Sequence, residues 1–244
     1  MGNPRIKNIY HEIGLAKTRN QKLIAILIDP DEIDVDGLQK LIPQISNSPA
    51  THILVGGSIV ETNHIDAIVQ FLKAKLSLPI LLFPGHPSQI SVHADGILFL
   101  SLLSGRNPDY LIEHQVNAVP LLKDTTLEII PTAYILIESG CETAVERVSQ
   151  TKPLDRNNSD YICQTALAGQ YLGNKLIYLE AGSGAKRAVP LETIKKVADA
   201  ISVPLLVGGG IRTQKGIQEA FEAGADLVVI GTAFEHDPHF FEYD

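Results

Sequence analysis

Three groups of residues in this chain are of types that handle phosphate and protons. Asp29, Asp31 and Glu32 stand together in LIDPDE, Glu180 leads the stretch EAGSG, and three consecutive glycines occupy 208–210 in LLVGGGIR. A carboxylate can share a hard cation with phosphate oxygens or take a proton from a hydroxyl. Glycine, with no Cβ, lets backbone N–H groups come close to an anion. Gly208 to Gly210 are therefore read as admitting a phosphate, with a tight turn at positive φ as the plainer alternative.

The elements that would carry these residues are eight short apolar runs: 23–28, 52–57, 79–85, 96–101, 128–137, 175–180, 203–209 and 226–231. Most are continuously apolar, as expected of strands covered on both faces in a parallel sheet. Pro79 and Pro131 are awkward members, since proline belongs at strand starts or edges. Amphipathic segments such as VDGLQKLIPQI, LETIKKVADAI and TQKGIQEAFEAG lie between the runs. Strands alternating with helices mean βα units with right-handed crossovers, and eight of them fit an α/β fold of the TIM (β/α)8-barrel type. A doubly wound open sheet is the second choice. The third connection, HPSQISVHAD, is short and carries a proline, so an irregular segment is expected where the third helix would stand. Extra helical and loop sequence is expected over 138–159. Without a compositional break, residues 1–244 are read as one domain with a short N-terminal helical extension.

The polar and glycine residues all follow strand C-termini, the face on which barrel active sites are built. The loops after the seventh and eighth strands match the recurrent barrel phosphate site. Ser183 and Thr232 would add neutral donors there, and Lys186, Arg187 and Arg212 are nearby cations. Asp29 with Ser58 on the next strand would make a Mg²⁺ site; an ordinary solvated acidic loop is the alternative. Glu180 is placed to accept hydrogen bonds from a polyol or to act as a general base, or else to serve as a structural carboxylate paired with Lys or Arg. His86 is the histidine placed at the barrel mouth. GSGAKR lacks the third glycine of a dinucleotide fingerprint. EIDVDG fails as a calcium loop, because its twelfth position is Pro43.

The formal net charge of -8 argues against a nucleic-acid partner. Cys141 and Cys163 are too few for a disulfide framework, and the N-terminus has no apolar signal core. No run reaches the roughly 18 apolar residues of a membrane span. A cytoplasmic protein with no integral membrane segment is expected.

In combination, ILIDPDE, ILVGGS, LLFPG, FLSLLSGRNP, IYLEAGSG, LVGGGIR and VVIGTAFE resemble the geranylgeranylglyceryl phosphate synthases, a family that extends to bacterial heptaprenylglyceryl phosphate synthases. The resemblance covers roughly residues 20 to 240 and is nearest to the family's second subgroup. It implies a modified TIM barrel whose third helix is replaced by an irregular strand or loop. It implies also that the C3 hydroxyl of sn-glycerol 1-phosphate attacks C1 of geranylgeranyl diphosphate, releasing diphosphate. On that basis Asp29 and Ser58 would hold Mg²⁺ on the diphosphate. Tyr178, Leu179, Glu180, Ala181, Gly182, Ser183 and Gly184 would cradle the glycerol phosphate, and Gly209, Gly210, Gly231 and Thr232 would complete its phosphate pocket. Glu180 would orient the glycerol hydroxyls and take the proton. Some members carry a lysine two residues before the first aspartate, where this chain has Leu27, and Lys22 is expected to take over that contact. The runs ILLF and ILFLSLL would line a prenyl groove or form barrel core. A homo-oligomer, dimer or hexamer, is implied too. Alternatives are the same chemistry with a longer donor such as heptaprenyl diphosphate, a phosphosugar isomerase, and a barrel that binds a phosphate ligand without turnover.

Overall fold

The structure is a computed structural model that describes residues 8–57, 64–237 and 239–241. Eight parallel strands form a closed barrel: β1 (Leu23–Ile28), β2 (His52–Val55), β3 (Ile80–Leu82), β4 (Gly96–Leu102), β5 (Glu128–Leu136), β6 (Leu176–Glu180), β7 (Leu205–Gly208) and β8 (Leu227–Ile230). Closure runs through the β8–β1 ladder, in which Leu23 pairs with Leu227 and Ile26 with Ile230. That ladder rules out the open sheet. The helices are α1 (Ile9–Thr18), α2 (Val35–Asn47), α3 (Ile65–Lys75), α4 (His114–Leu122), α5 (Ala144–Ser149), α6 (Ser159–Tyr171), α7 (Leu191–Ala200), α8 (Gln214–Glu222) and α9 (Thr232–His236).

Two features depart from regular alternation. Only a single 3₁₀ turn, Pro87–Gln89, stands between β3 and β4, so no α-helix covers that crossover. A π turn, Asp109–Glu113, leads into α4. The segment 138–159 holds α5, fixed by a capping box in which Thr143 and Glu146 satisfy each other's backbone N–H groups.

Side chains alternate along each strand between the barrel interior and the helix layer. Leu23, Ala25, Leu54, Leu81, Leu98, Tyr134, Leu176, Tyr178, Leu206, Leu227 and Val229 pack inside. Ile26, Ile28, Ile53, Ile135, Ile177, Leu179, Val207 and Val228 pack against helices. Because both sets are apolar, the strands read as unbroken apolar runs.

Helix α1 closes the N-terminal end of the barrel. Its Ile9, Ile13 and Ala16 are buried with the interior residues of the strands. The Glu128 carboxylate accepts from the backbone N–H groups of Ile9 and Tyr10, satisfying orphan donors at the helix start. Lys17 pairs with Asp226 at 2.8 Å, and the same carboxylate oxygen of Asp226 accepts from Leu205 N. Pro131 is accommodated inside β5 because its ladder with β6 begins at Thr132 opposite Leu176. The missing proline N–H falls where β6 has not yet started.

Candidate active site

The site follows from carrying the inward register one step past the core. Beyond Leu27 comes Asp29, beyond Leu81 comes Phe83, beyond Tyr178 comes Glu180, beyond Leu206 comes Gly208, and beyond Val229 comes Gly231. All of these lie at strand C-termini, around one mouth.

A polar basin opens there. Asp29, Asp31 and Glu32 line it from the first strand's loop, and Tyr178, Glu180, Gly182, Ser183 and Gly184 from the sixth. Gly209, Gly210 and Arg212 follow from the seventh, Gly231 and Thr232 from the eighth. Glu180 is buried, and its Oε1 accepts from Gly182 N at 2.6 Å. Burial raises the carboxyl pKa, while Tyr178 and the N–H groups of Gly182 and Ala181 pull it back. The Tyr178 hydroxyl sits against this carboxylate without the geometry of a full hydrogen bond.

The glycine run has a packing reason. A Cβ on Gly208 would lie 2.5 Å from Tyr178 Oη, and one on Gly209 would lie 2.2 Å from Glu180 Oε1. Gly209 and Gly210 also have φ of 78° and 72°. Gly208 and Gly209 make room first for the neighbouring strand's Tyr178 and Glu180 side chains, and Gly210 for the backbone of Arg187 and Ala188.

Asp29 is half-buried, and its Oδ1 accepts from Asp31 N at 3.1 Å. Its carboxyl is pushed up to about 6, chiefly by burial, with the charges of Asp31 and Glu32 adding to the effect. A raised carboxylate at a polar mouth suits a hard cation that would bind its ionised form. Among the described residues, no three His, Cys, Asp or Glu side chains gather as a metal cluster. Ser58, the second expected ligand, lies outside the described residues.

Several expected residues stand elsewhere. Lys22 lies before β1, at the N-terminal end of the barrel, where its Nζ donates to Ala225 O at 3.0 Å, so it does not reach the mouth. Leu179 points outward into the helix layer, as does Ala181, whose N–H donates to Gly208 O. The period of two along the strand decides this: where Tyr178 and Glu180 face in, Leu179 and Ala181 face out. Of the expected cations, Arg212 lines the basin and donates to Ala185 O, whereas Arg187 is turned to Glu138 at 3.0 Å. Lys186 is exposed and stands outside the basin wall. Arg147 and Glu142, on and before α5, line the basin though neither motif nor spacing marked them.

A second, largely apolar groove adjoins the basin. Its walls are the β3–β4 connection (Pro84, His86, Ile90), β4 (Ile97 to Leu100, with Leu102) and the start of α4 with its π turn (Tyr110, His114). It opens on the side left without a helix. Gly57, Phe83, Tyr134 and Val145 line both spaces, so the two meet at these residues. Phe83 lies in the ILLF run already marked as a possible groove wall. Tyr134 was missed, and its only signal is the inward register of β5.

Residues 16–243 match the PcrB family. The chain is 60% identical to the geranylgeranylglyceryl phosphate synthase of Flavobacterium johnsoniae, over 97% of this chain and 98% of that one. It is 43% identical to the protein of that name from Thermococcus gammatolerans, covering 95% and 90% of the two chains. The crystal structure of (S)-3-O-geranylgeranylglyceryl phosphate synthase from Thermoplasma acidophilum, in complex with sn-glycerol-1-phosphate, superposes with a TM-score of 0.89 at 34% identity. That match covers 96% of this chain and 94% of the other.

Proposed function

Since the chain belongs to the PcrB family, we propose that it joins the C3 hydroxyl of sn-glycerol 1-phosphate to geranylgeranyl diphosphate, forming an ether and releasing diphosphate. One observation carries this reading: a polar basin lined by carboxylates, Asp29 and Glu180 among them, opens directly into an apolar groove. A phosphosugar isomerase has no use for the groove, and a prenyl donor needs both spaces. Burial of the tail at about 0.8 kcal/mol per methylene would supply ample affinity.

Glu180 carries the proton chemistry. Its Oε1 is held by Gly182 N, which leaves the rest of the carboxylate to accept from the glycerol hydroxyls and to receive the C3 proton. The phosphate of the acceptor would rest on the backbone of Gly182, Gly184, Gly209, Gly210 and Gly231 and on the hydroxyls of Ser183 and Thr232. Asp29 would hold Mg²⁺, which supplies Lewis-acid stabilisation of the departing diphosphate. The apolar walls exclude water, which would otherwise capture the allylic centre. The exposed apolar side chains Ile112, Val116 and Val119, on the π turn and α4, support self-association. Among the described residues no helix is long and apolar enough to cross a membrane.

A transfer assay tests the reading. Purified protein is given labelled sn-glycerol 1-phosphate, Mg²⁺ and prenyl diphosphates of several lengths, and organic-extractable label is counted. Product peaking with the twenty-carbon donor is expected. A peak at a longer donor would change the donor assignment, and binding of glycerol phosphate without product from any donor would leave a ligand-binding barrel.

A further inference from the structure

The basin is acidic, yet both molecules it would receive are anions. Asp29, Asp31, Glu32, Glu142 and Glu180 line it, against the guanidiniums of Arg147 and Arg212 alone. Arg212 follows Gly210 on the acceptor side and already donates to Ala185 O at 2.6 Å. Arg147 stands exposed on α5, and among the described residues its guanidinium enters no ion pair. We propose that Arg147 binds the diphosphate of the prenyl donor and takes up the negative charge that develops as it leaves. This rests on the prenyl-transfer reading above.

Helix α5 lies along the boundary between the two spaces. Val145 and Val148, three residues apart on one face, line the apolar groove, while Ala144 and Arg147 line the basin. Val145 lines both. The helix therefore follows the line at which a prenyl chain ends and its diphosphate begins. In the closed barrel β1 and β5 stand opposite one another, so Asp29 and Arg147 approach the mouth from opposite sides. A diphosphate between them meets a carboxylate suited to a hard cation on one flank and a guanidinium on the other.

The short helix is tied to both halves of the site. Gly182, at a φ of 97°, brings the acceptor loop onto its cap, where a Cβ would stand 2.4 Å from Thr143 Cγ2. At the other end Tyr110 Oη, from the groove wall, donates to Val148 O at 3.1 Å. Asn107 Nδ2 donates to Ser149 O at 2.8 Å.

The chemistry needs a charge there. As the C1–O bond breaks, its electron pair stays on the diphosphate oxygen. A lone pair of the glycerol C3 oxygen forms the new C1–O bond, and the hydroxyl proton passes to Glu180. A planar guanidinium offers the departing group paired N–H donors. That interaction strengthens as the bond lengthens, so it serves rate as well as affinity.

Calorimetry tests the assignment on wild type, Arg147→Gln, Arg147→Lys and Lys152→Gln. Each is titrated with inorganic diphosphate in Mg²⁺ and, separately, with sn-glycerol 1-phosphate; single-turnover rates are taken with geranylgeranyl diphosphate. Arg147→Gln should bind diphosphate roughly ten- to hundredfold more weakly and slow by a similar factor, with glycerol phosphate affinity and Tm unchanged. Arg147→Lys should recover part of both, since it restores the charge but not the fork. Lys152 is exposed, stands outside the basin and lies 3.9 Å from Glu146, so Lys152→Gln should match wild type. Unchanged diphosphate binding in Arg147→Gln would overturn the proposal, as would a loss confined to glycerol phosphate or an equal loss in Lys152→Gln. Wild-type protein that holds diphosphate through Arg147 yet makes no product from any donor would keep the anion site and remove the prenyl-transfer reading.

Discussion

The Glu180 carboxylate fills the space that a Cβ at Gly209 would need, because such an atom would stand 2.2 Å from Oε1. Glu180 ends β6 and Gly209 directly follows the neighbouring β7, so the two fix one another. Gly209→Ala would meet both this clash and a φ of 78°, so a cost of about 1–3 kcal/mol is expected. Urea unfolding would measure it, and kcat should fall with it as Glu180 is displaced. Full activity at unchanged stability would mean that the carboxylate moves freely.

Glu180→Gln should lower kcat by about a hundredfold to ten-thousandfold, the usual range for loss of a positioned base. In the wild type, burial raises the folded carboxyl above 4.5. The folded state therefore holds a proton that the unfolded chain has released. The contribution of Glu180 to stability is fully present below about pH 4.5 and is lost as pH rises through the raised folded value, while kcat/KM increases over the same window. Thermal melts and rate profiles of both proteins should diverge above that window and converge below it.

Asp29 obeys the same sign, with its folded pKa at about 6 against an ordinary 3.8. Ionised Asp29 is penalised above pH 6 unless a cation binds it, so Mg²⁺ should raise the wild-type Tm at pH 8 and do little at pH 5. Asp29→Asn should melt higher than wild type without metal at pH 8 and gain nothing from Mg²⁺. Its activity should drop by at least about a hundredfold. An Mg²⁺ response that survives in Asp29→Asn would place the cation elsewhere.

Lys22→Met tests a negative. With Nζ bonded to Ala225 O at the far end of the barrel, its loss should cost about 1 kcal/mol of stability and leave the KM for glycerol phosphate unchanged. An increased KM would return Lys22 to the substrate.

Most of the barrel was legible because its signal is local. Buried parallel strands are uniformly apolar, and each of the eight runs became a strand within a few residues of its expected ends. The missing third helix was legible too, from a short proline-bearing connection. What escaped was direction and distance. A fully apolar run conceals which alternate residues face inward, so Leu179 and Glu180 looked equally available and Tyr134 was invisible. The run of three glycines pointed to a phosphate, yet its tightest constraint comes from Tyr178 and Glu180, side chains of another strand. Lys22 was chosen to stand in for the lysine that some family members carry where this chain has Leu27, although a strand start and a strand end lie at opposite ends of a barrel.

The gap between β3 and β4 has a further meaning for the donor. Elsewhere a crossover helix covers the outside of the sheet with aliphatic side chains, but here one 3₁₀ turn stands in its place. A prenyl tail lying in the groove would supply the cover that the polypeptide omits. The hydrocarbon would then be part of the protein's own oily layer for as long as it stays, and shedding the finished lipid would uncover it again. Turnover and cohesion of this flank are thus tied together: a product that fits the groove best also holds the wall best and departs most slowly.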